Sequence, residues 1–363
     1  MFALLSRRRY SAVMTSSHTK APSSADPSWS IWWLAFGYFA AYVPYSALTK
    51  ALSDGLLPGL LPMSGFAILP AATFASMVGM VAFLSAARWW RHATQWRVGS
   101  ISLPVPTRWT LASGLCTATI VATTTLAYTF EGVSIVFVML LMRGGLLMIA
   151  PLVDAVARRR VRWFSWAGLA MSLSALLVAF SETESYAITV VCVVDIAAYL
   201  AAYFIRLRFM SRLAKSVDGS ANRRYFVEEQ LVATPAVMVA LALGALLGQD
   251  AYAAEVRRGF TEIWATGALI PALVIGLFSQ GTGIFGGLIL LDSRENTFCV
   301  PVNRSSSILA GVLASFSVAW FAERPTPSDA ELIGAGLIIG AILFLTIPPM
   351  LEKRSRALRA QQV

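Results

Sequence analysis

Residues 136–151 read VFVMLLMRGGLLMIAP, and residues 298–313 read FCVPVNRSSSILAGVL. With its flanks, each run is long enough for a membrane helix, and each carries one arginine, Arg143 or Arg304, near its middle. A guanidinium at the bilayer centre costs at least about 2.5–3.5 kcal/mol even on the gentler insertion scale. Two such placements in one chain call for both a structural and a chemical reason. Shifting the chain by 161 residues lays Arg143 on Arg304, Phe137 on Phe298 and Glu131 on Asp292, and the apolar pattern follows. After a five-residue offset in the next loop, Trp166-Ala167-Gly168-Leu169 falls on Leu332-Ile333-Gly334-Ala335. The chain reads as two copies of one unit.

Working outward, apolar stretches of spanning length lie at 30–52, 61–86, 109–130, 134–156 and 163–181, then at 186–207, 226–248, 262–291, 297–321 and 330–350. All are expected to be helices, because lipid cannot satisfy an open backbone and no barrel-type alternation is present. The expected fold is an all-α membrane protein of ten transmembrane helices in two repeats, 30–181 and 186–350, with a polar N-terminal tail, 1–29, and a basic cytoplasmic tail, 351–363. Five spans per repeat give the copies opposite orientations, the inverted arrangement of many secondary transporters with a midplane site. Trp29, Trp32, Trp33, Trp89, Trp90, Trp163 and Trp166 fall at span ends, where aromatic belts belong.

The composition agrees. Of 363 residues, 57% are hydrophobic and only 13% charged, with a mean hydropathy of +0.67, which excludes a soluble enzyme. The net charge of +10 would suit a nucleic-acid partner in a soluble protein. Here the basic residues collect in alternate loops: Arg88, Arg91, Arg97 and Arg108, then Arg206, Arg208, Arg212, Lys215, Arg223 and Arg224, for example. The other loops keep only Lys50, Arg257, Arg258 and Arg324. That is the positive-inside pattern with both termini cytoplasmic, and it needs no nucleic acid. The segment FIRLRFMSRLAK, 204–215, reads as an ordinary inner loop. The tail 1–29 has no signal-peptide core; a cytosolic tail or an organelle presequence both fit its acid-poor, Arg- and Ser-rich composition. The cell (inner) membrane is the expected location, with an organelle membrane as the alternative.

Cys116, Cys192 and Cys299 lie in apolar runs, and His18 and His92 lie in polar ones, so neither a disulfide framework, a metal site nor a histidine relay is expected. GTGIFG, 281–286, matches a dinucleotide fingerprint by letters but follows no strand, so close packing or a helix break explains it better. No cofactor is implied.

Depth then decides which polar residues matter. A span starting near Ser134 puts Arg143 roughly 13 Å in, and one starting near Asn296 puts Arg304 roughly 12 Å from the opposite face. The two guanidiniums either hold an anion together, since the planar fork matches carboxylate or phosphate, or pair with the acids Asp195, Glu131 or Asp292. Asn303, Ser305, Ser306 and Ser307 beside Arg304 suit an oxyanion and equally suit helix packing. Asp195, inside ITVVCVVDIAAYLAAY (188–203), is a proton site or a counter-ion; Glu131 and Asp292 sit at helix ends that water can reach. Tyr42, Tyr128 and Tyr199, with Tyr38, Tyr45 and Tyr203, are candidates to line a cavity, as is Gln280.

With these features in place the chain resembles the drug/metabolite transporter superfamily in its EamA-like form, over about 30–350. The resemblance rests on ARRRVRWFSWAGLAMSLSALLVAF (157–180) and AERPTPSDAELIGAGLIIGAILFLTI (322–347), each a charged hinge leading into a Gly-centred last helix. Glu323-Arg324-Pro325-Thr326 is similar to the family's hinge, with Ala322 where Gly is usual. The resemblance implies two five-helix halves and a metabolite substrate. In the nucleotide-sugar and phosphate-sugar branches, basic residues in spans four and nine meet the substrate phosphate, so Arg143 and Arg304 imply an anion, phosphorylated ones among the candidates.

The expected function is a secondary active transporter that moves a small anion by alternating access, by exchange. The alternative is a proton-coupled exporter of amino acids or amphiphiles in which Asp195 titrates. A membrane enzyme lacks any nucleophile–base pair or cofactor motif to support it. The expected partners are a small-molecule substrate and the lipid bilayer; monomer and homodimer stay open.

Overall fold

The computed structural model describes residues 28–98, 101–130, 133–147, 149, 163–180, 189–214, 219–292, 296–323 and 325–360. In chain order the helices are α1 (Ser28–Ser53), α2 (Gly65–Ala86), α3 (Arg108–Ala127) and α4 (Ile135–Met139), which runs into a π-helical turn at Leu140–Gly144. Then come α5 (Trp163–Phe180), α6 (Val190–Leu213), α7 (Gly219–Leu247), α8 (Ala251–Thr261), α9 (Leu269–Leu291), α10 (Asn296–Ala322) and α11 (Asp329–Ala360). Among the described residues, six helices are long and apolar enough to cross a membrane: Gly65–Ala86, Arg108–Ala127, Val190–Leu213, Ser220–Leu247, Leu269–Leu291 and Val302–Ala322. Large apolar side chains such as Phe36, Val193, Leu246, Trp320 and Phe321 point outward, which only a lipid solvent tolerates on this scale. The architecture is that of an all-α membrane protein.

Local chemistry sets the helix starts. Ser64, Thr107, Ser134, Thr189 and Asp250 each stand just before a helix and accept a backbone N–H of its first turn. Several boundaries differ from the sequence expectation. Ser28 and Trp29, the last residues of the expected tail 1–29, already belong to α1, and residues 351–360 of the expected basic tail continue α11 as helix. The stretch expected at 262–291 starts as a membrane-length helix only at Leu269. Before it, Asp250 caps the separate short helix α8, whose Ala253, Val256 and Gly259 recur at three-residue spacing and are buried. Helix α7 starts seven residues before the expected 226, at Gly219. The loop before α3 folds into a hairpin, Gln95–Val98 against Ile101–Pro104, which the all-α expectation does not include.

The packing pairs the helices reciprocally. Helix α1 packs on α9 and α10; α6 packs on α3 and on the π turn of α4; α2 packs on α9, and α7 on α3. Helices α4 and α10 touch each other, as do α5 and α11. The α2–α9 contact is close because Gly276 offers no side chain there: a methyl on it would run into the Ala72 carbonyl. Ser76 donates to the Gly276 carbonyl at 2.7 Å in the same place. Gly276→Ala is therefore expected to cost about 1–3 kcal/mol by overpacking. An unchanged thermal midpoint would show that the contact yields instead.

Candidate functional site

Three features lie together among α1, α3, α6, α7, α9, α10 and the π turn of α4. The first is a polar cavity of about 70 Å³. At about 30 Å³ per water in the liquid, this is room for roughly two waters. Its wall includes Tyr38, Tyr42 and Tyr45 of α1, Thr117 and Thr124 of α3, Arg143, Tyr203 and Arg206 of α6, Gln230 of α7, Gln280 of α9 and Asn303 of α10. Tyrosine hydroxyls and amides thus meet cationic groups in a space closed on most sides by helices.

The second feature is Arg143, which is 2% exposed. It sits on the π turn, where one extra residue per turn re-aims the side chains. Its Nη2 donates to the Tyr42 hydroxyl. Tyr42 and Tyr128 share a hydrogen bond of 2.8 Å, and Tyr128 donates on to the Met139 sulfur at 3.2 Å. The chain of donors therefore runs away from the guanidinium, which leaves the negative end of each phenol dipole toward it. The guanidinium carbon also lies 5.5 Å from the Tyr42 ring centre and 5.3 Å from that of Tyr199. Its Nε is buried with no hydrogen-bond partner among the described residues.

The third is Arg304, with no exposed surface. Its Nη1 donates to Tyr199 at 3.2 Å, and its guanidinium carbon stands 4.5 Å from the Tyr203 ring centre. Nε and Nη2 have no hydrogen-bond partner among the described residues. Arg304 does not itself line the cavity; the Tyr203 ring on which it stacks does. Tyr199 connects the two arginines, offering its face to one and its hydroxyl to the other.

Magnitudes decide what this arrangement needs. A cation over an aromatic face gains about 2 kcal/mol when desolvated, and a neutral hydroxyl partner about as much again. Burying an ion costs several kcal/mol. Among the described residues neither arginine has a carboxylate within ion-pair distance. The tyrosines orient the guanidiniums without neutralising them.

The remaining sequence candidates fall in different places. Asn303 lines the cavity, its side-chain amide donating to the Gly286 carbonyl at 3.5 Å, while its Oδ1 is buried without a hydrogen-bond partner among the described residues. Gln280 lines the same cavity. Ser305 and Ser306 donate to the Val302 carbonyl at 3.2 and 2.9 Å, and Ser307 to the Arg304 carbonyl at 2.9 Å. Each of these hydroxyls donates to a carbonyl one turn back in its own helix. Asp195 is 6% exposed, and its Oδ2 has no hydrogen-bond partner among the described residues; it is not part of the cavity wall. Asp292 caps the end of α9 and is half-buried. Glu131 lies outside the described residues. GTGIFG, 281–286, runs inside the unbroken helix α9, where Gly286 makes room for Tyr38 and Asn303, so packing and not a break accounts for it.

Sequence reasoning assigns Arg206 to an inner loop and passes over Glu228 and Glu229. The structure corrects this. Arg206 is buried and grips Glu229 with two bonds of 2.8 Å, from Nε and Nη2. Glu229 also accepts from Ser113 at 2.7 Å and from Tyr225 at 3.2 Å. Next to it, Glu228 accepts from the Thr94 backbone and hydroxyl at 3.0 and 2.7 Å, the Thr107 backbone at 3.2 Å and the Thr110 hydroxyl at 2.8 Å. The available signal was two adjacent acids inside YFVEEQLV, 225–232, where an apolar helix had already begun.

No family model matches the chain, and no curated protein matches it. A crystal structure of a protein aligns with 88% of this chain and 96% of its own, at 16% identity and a TM-score of 0.49.

Proposed function

We propose that the chain is a secondary carrier for a small anion, built from two inverted five-helix repeats of the EamA-like kind and working by alternating access with exchange. One observation carries the reading: two buried guanidiniums linked through Tyr199, Arg143 in the cavity wall and Arg304 behind Tyr203, have no carboxylate of their own among the described residues. An anion in the cavity supplies the missing charge. It also makes the empty carrier reluctant to reorient, because two bare cations would have to cross a low-dielectric barrier, and this favours exchange over uniport.

The repeat has support beyond the arginines. The 161-residue shift that superimposes Arg143 on Arg304 also lays Tyr38 on Tyr199 and Tyr42 on Tyr203. The contacts follow it, since Tyr42 carries Arg143 and Tyr203 carries Arg304. The reciprocal packing obeys the same exchange, with α1–α9 answering α6–α3 and α2–α9 answering α7–α3. In this state Arg143 lines the cavity and Arg304 stands behind Tyr203. Swapping the conformations of the two repeats brings Arg304 to the wall and takes Arg143 off it. The basic loops favour both termini in the cytoplasm of a cell with this protein in its inner membrane.

The test is exchange in proteoliposomes loaded with inorganic phosphate, or with each of a series of carboxylates in place of it. Arg143→Gln and Arg304→Gln are each expected to lower exchange about a hundredfold, the loss of two charge-assisted hydrogen bonds. Unchanged exchange in the double variant would overturn the reading.

A second reading, proton-coupled export, is favoured by one observation: the buried, unsatisfied Oδ2 of Asp195. It requires Asp195→Asn to abolish accumulation driven by a proton gradient while leaving counterflow intact. Gradient-driven accumulation at the normal rate in Asp195→Asn would exclude it.

A further inference from the structure

Two contacts that the repeat pattern makes equivalent, α2–α9 and α3–α7, each turn on a close-packed glycine and differ in what surrounds it. The α2–α9 contact is backbone on backbone, with Gly276 against Ala72 and one serine hydrogen bond. The α3–α7 contact has its own glycine, Gly114, against the Glu229 carbonyl and Val232, and adds two buried carboxylates. Glu228 ties α7 to Thr94, Thr107 and Thr110; Glu229 ties it to Ser113 and, through Arg206, to α6. One helical turn along α3 from Ser113, Thr117 lines the cavity, and Gln230, the neighbour of Glu229, lines it too. The polar knot therefore lies next to the cavity on the side of the α3 N-terminus and the basic residues Arg108, Arg223 and Arg224.

The close glycine approach is common to both contacts; the buried, hydrogen-bonded charges around it belong to α3–α7. A seam of carboxylate, guanidinium and hydroxyl groups exchanges its hydrogen bonds for equivalent ones to water, so opening it costs little net. Arg206 belongs to both regions: it lines the cavity, on the same buried face of α6 as Tyr199 and Tyr203, and it holds the seam through Glu229.

We propose that the α3–α7 seam is a gate on the basic face and that the Arg206–Glu229 pair is its latch. The inference rests on the carrier reading only in that the cavity must open toward one face at a time; it requires no particular anion. Charged groups around the latch are Arg206 on α6 and Glu228, Glu229 and Arg224 on α7, with the hydroxyls of Ser113, Thr110 and Tyr225 facing them.

The test reads access to the cavity without any transported ligand. Thr117→Cys is made in a chain with Cys116, Cys192 and Cys299 each changed to alanine, and a membrane-impermeant maleimide is applied to oriented vesicles from the basic face. Glu229→Gln and Arg206→Gln are each expected to raise the labelling rate about tenfold, the loss of roughly one charge-assisted bond from the closed state. Arg206→Lys, which keeps the charge and loses the two-pronged grip, is expected to fall between them and the parent. Glu331→Gln serves as the control: Glu331 is a buried carboxylate that bonds Ser134 and the Ser328 backbone, far along the chain from the seam. Unchanged labelling in Glu229→Gln and Arg206→Gln, or an equal rise in Glu331→Gln, would overturn the latch. Because labelling needs no substrate, a failed latch and a failed exchange assay are separate results.

Discussion

Arg143→Met is expected to raise the thermal midpoint of the ligand-free protein while removing the anion exchange proposed above. The two effects have one origin. A buried guanidinium with phenols and no carboxylate among its described partners is a net cost to the folded state, because hydroxyls and aromatic faces recover a part of its lost hydration. Methionine fills a similar length, leaves Tyr42 bonded to Tyr128, and removes that cost. Replacing buried ions with apolar side chains of similar volume has been worth about 1–4 kcal/mol elsewhere, and a cation without a carboxylate partner belongs at the upper end. An arginine that serves the fold through a buried acid would behave oppositely and lose about 3–5 kcal/mol. The sign of the shift in a thermal unfolding scan therefore separates a functional cation from a structural one.

Arg206 provides the internal contrast, and the second large effect. Glu229→Met leaves Arg206 buried beside Ser113 and Tyr225, which offer hydroxyls but no charge. The expected loss is about 3–5 kcal/mol, the usual result of breaking a buried pair from one side. Arg206→Met with Glu229→Met in the same chain is expected to recover most of it, because the desolvation cost of both ions disappears together. The measurement is a double-mutant cycle on the unfolding free energy. Additive losses would show that the pair is hydrated in the folded protein and has no latch to offer. Arginines of similar burial thus carry opposite expectations, decided by whether a carboxylate stands in front of them.

What the sequence could announce depends on where a residue sits relative to its own helix. Arg143 and Arg304 were legible because a charge in the middle of an apolar run has no bland explanation, and the structure buries both. Their tyrosine partners were only candidates, since Tyr42 and Tyr199 come from other helices and an aromatic in a span is usually packing. Ser305 and Ser307 show why a hydroxyl is hard to read: beside an arginine it suggests a ligand, yet a serine in a helix can always bond the carbonyl one turn back, and these do. Arg206 and Glu229 were lost because each stands near the polar end of a helix, where charge is ordinarily solvated; only the tertiary fold brings α6 and α7 together. Helix α8 was missed because an amphipathic segment of eleven residues between two apolar spans reads as a loop unless the Asp250 cap is noticed. The π turn under Arg143 has no sequence signature of its own.

The most direct test of the unneutralised arginines is a thermal-shift titration of the purified protein with inorganic phosphate, run beside the same titration in Arg143→Gln/Arg304→Gln. A ligand that binds the folded state alone stabilises it by about 2.7 kcal/mol at a hundred times its dissociation constant. The account predicts a phosphate-dependent rise in the parent, or a rise with a carboxylate where phosphate is too large or too small, and none in the double variant. A rise of equal size in both proteins, or no rise with any anion in the parent, would contradict it.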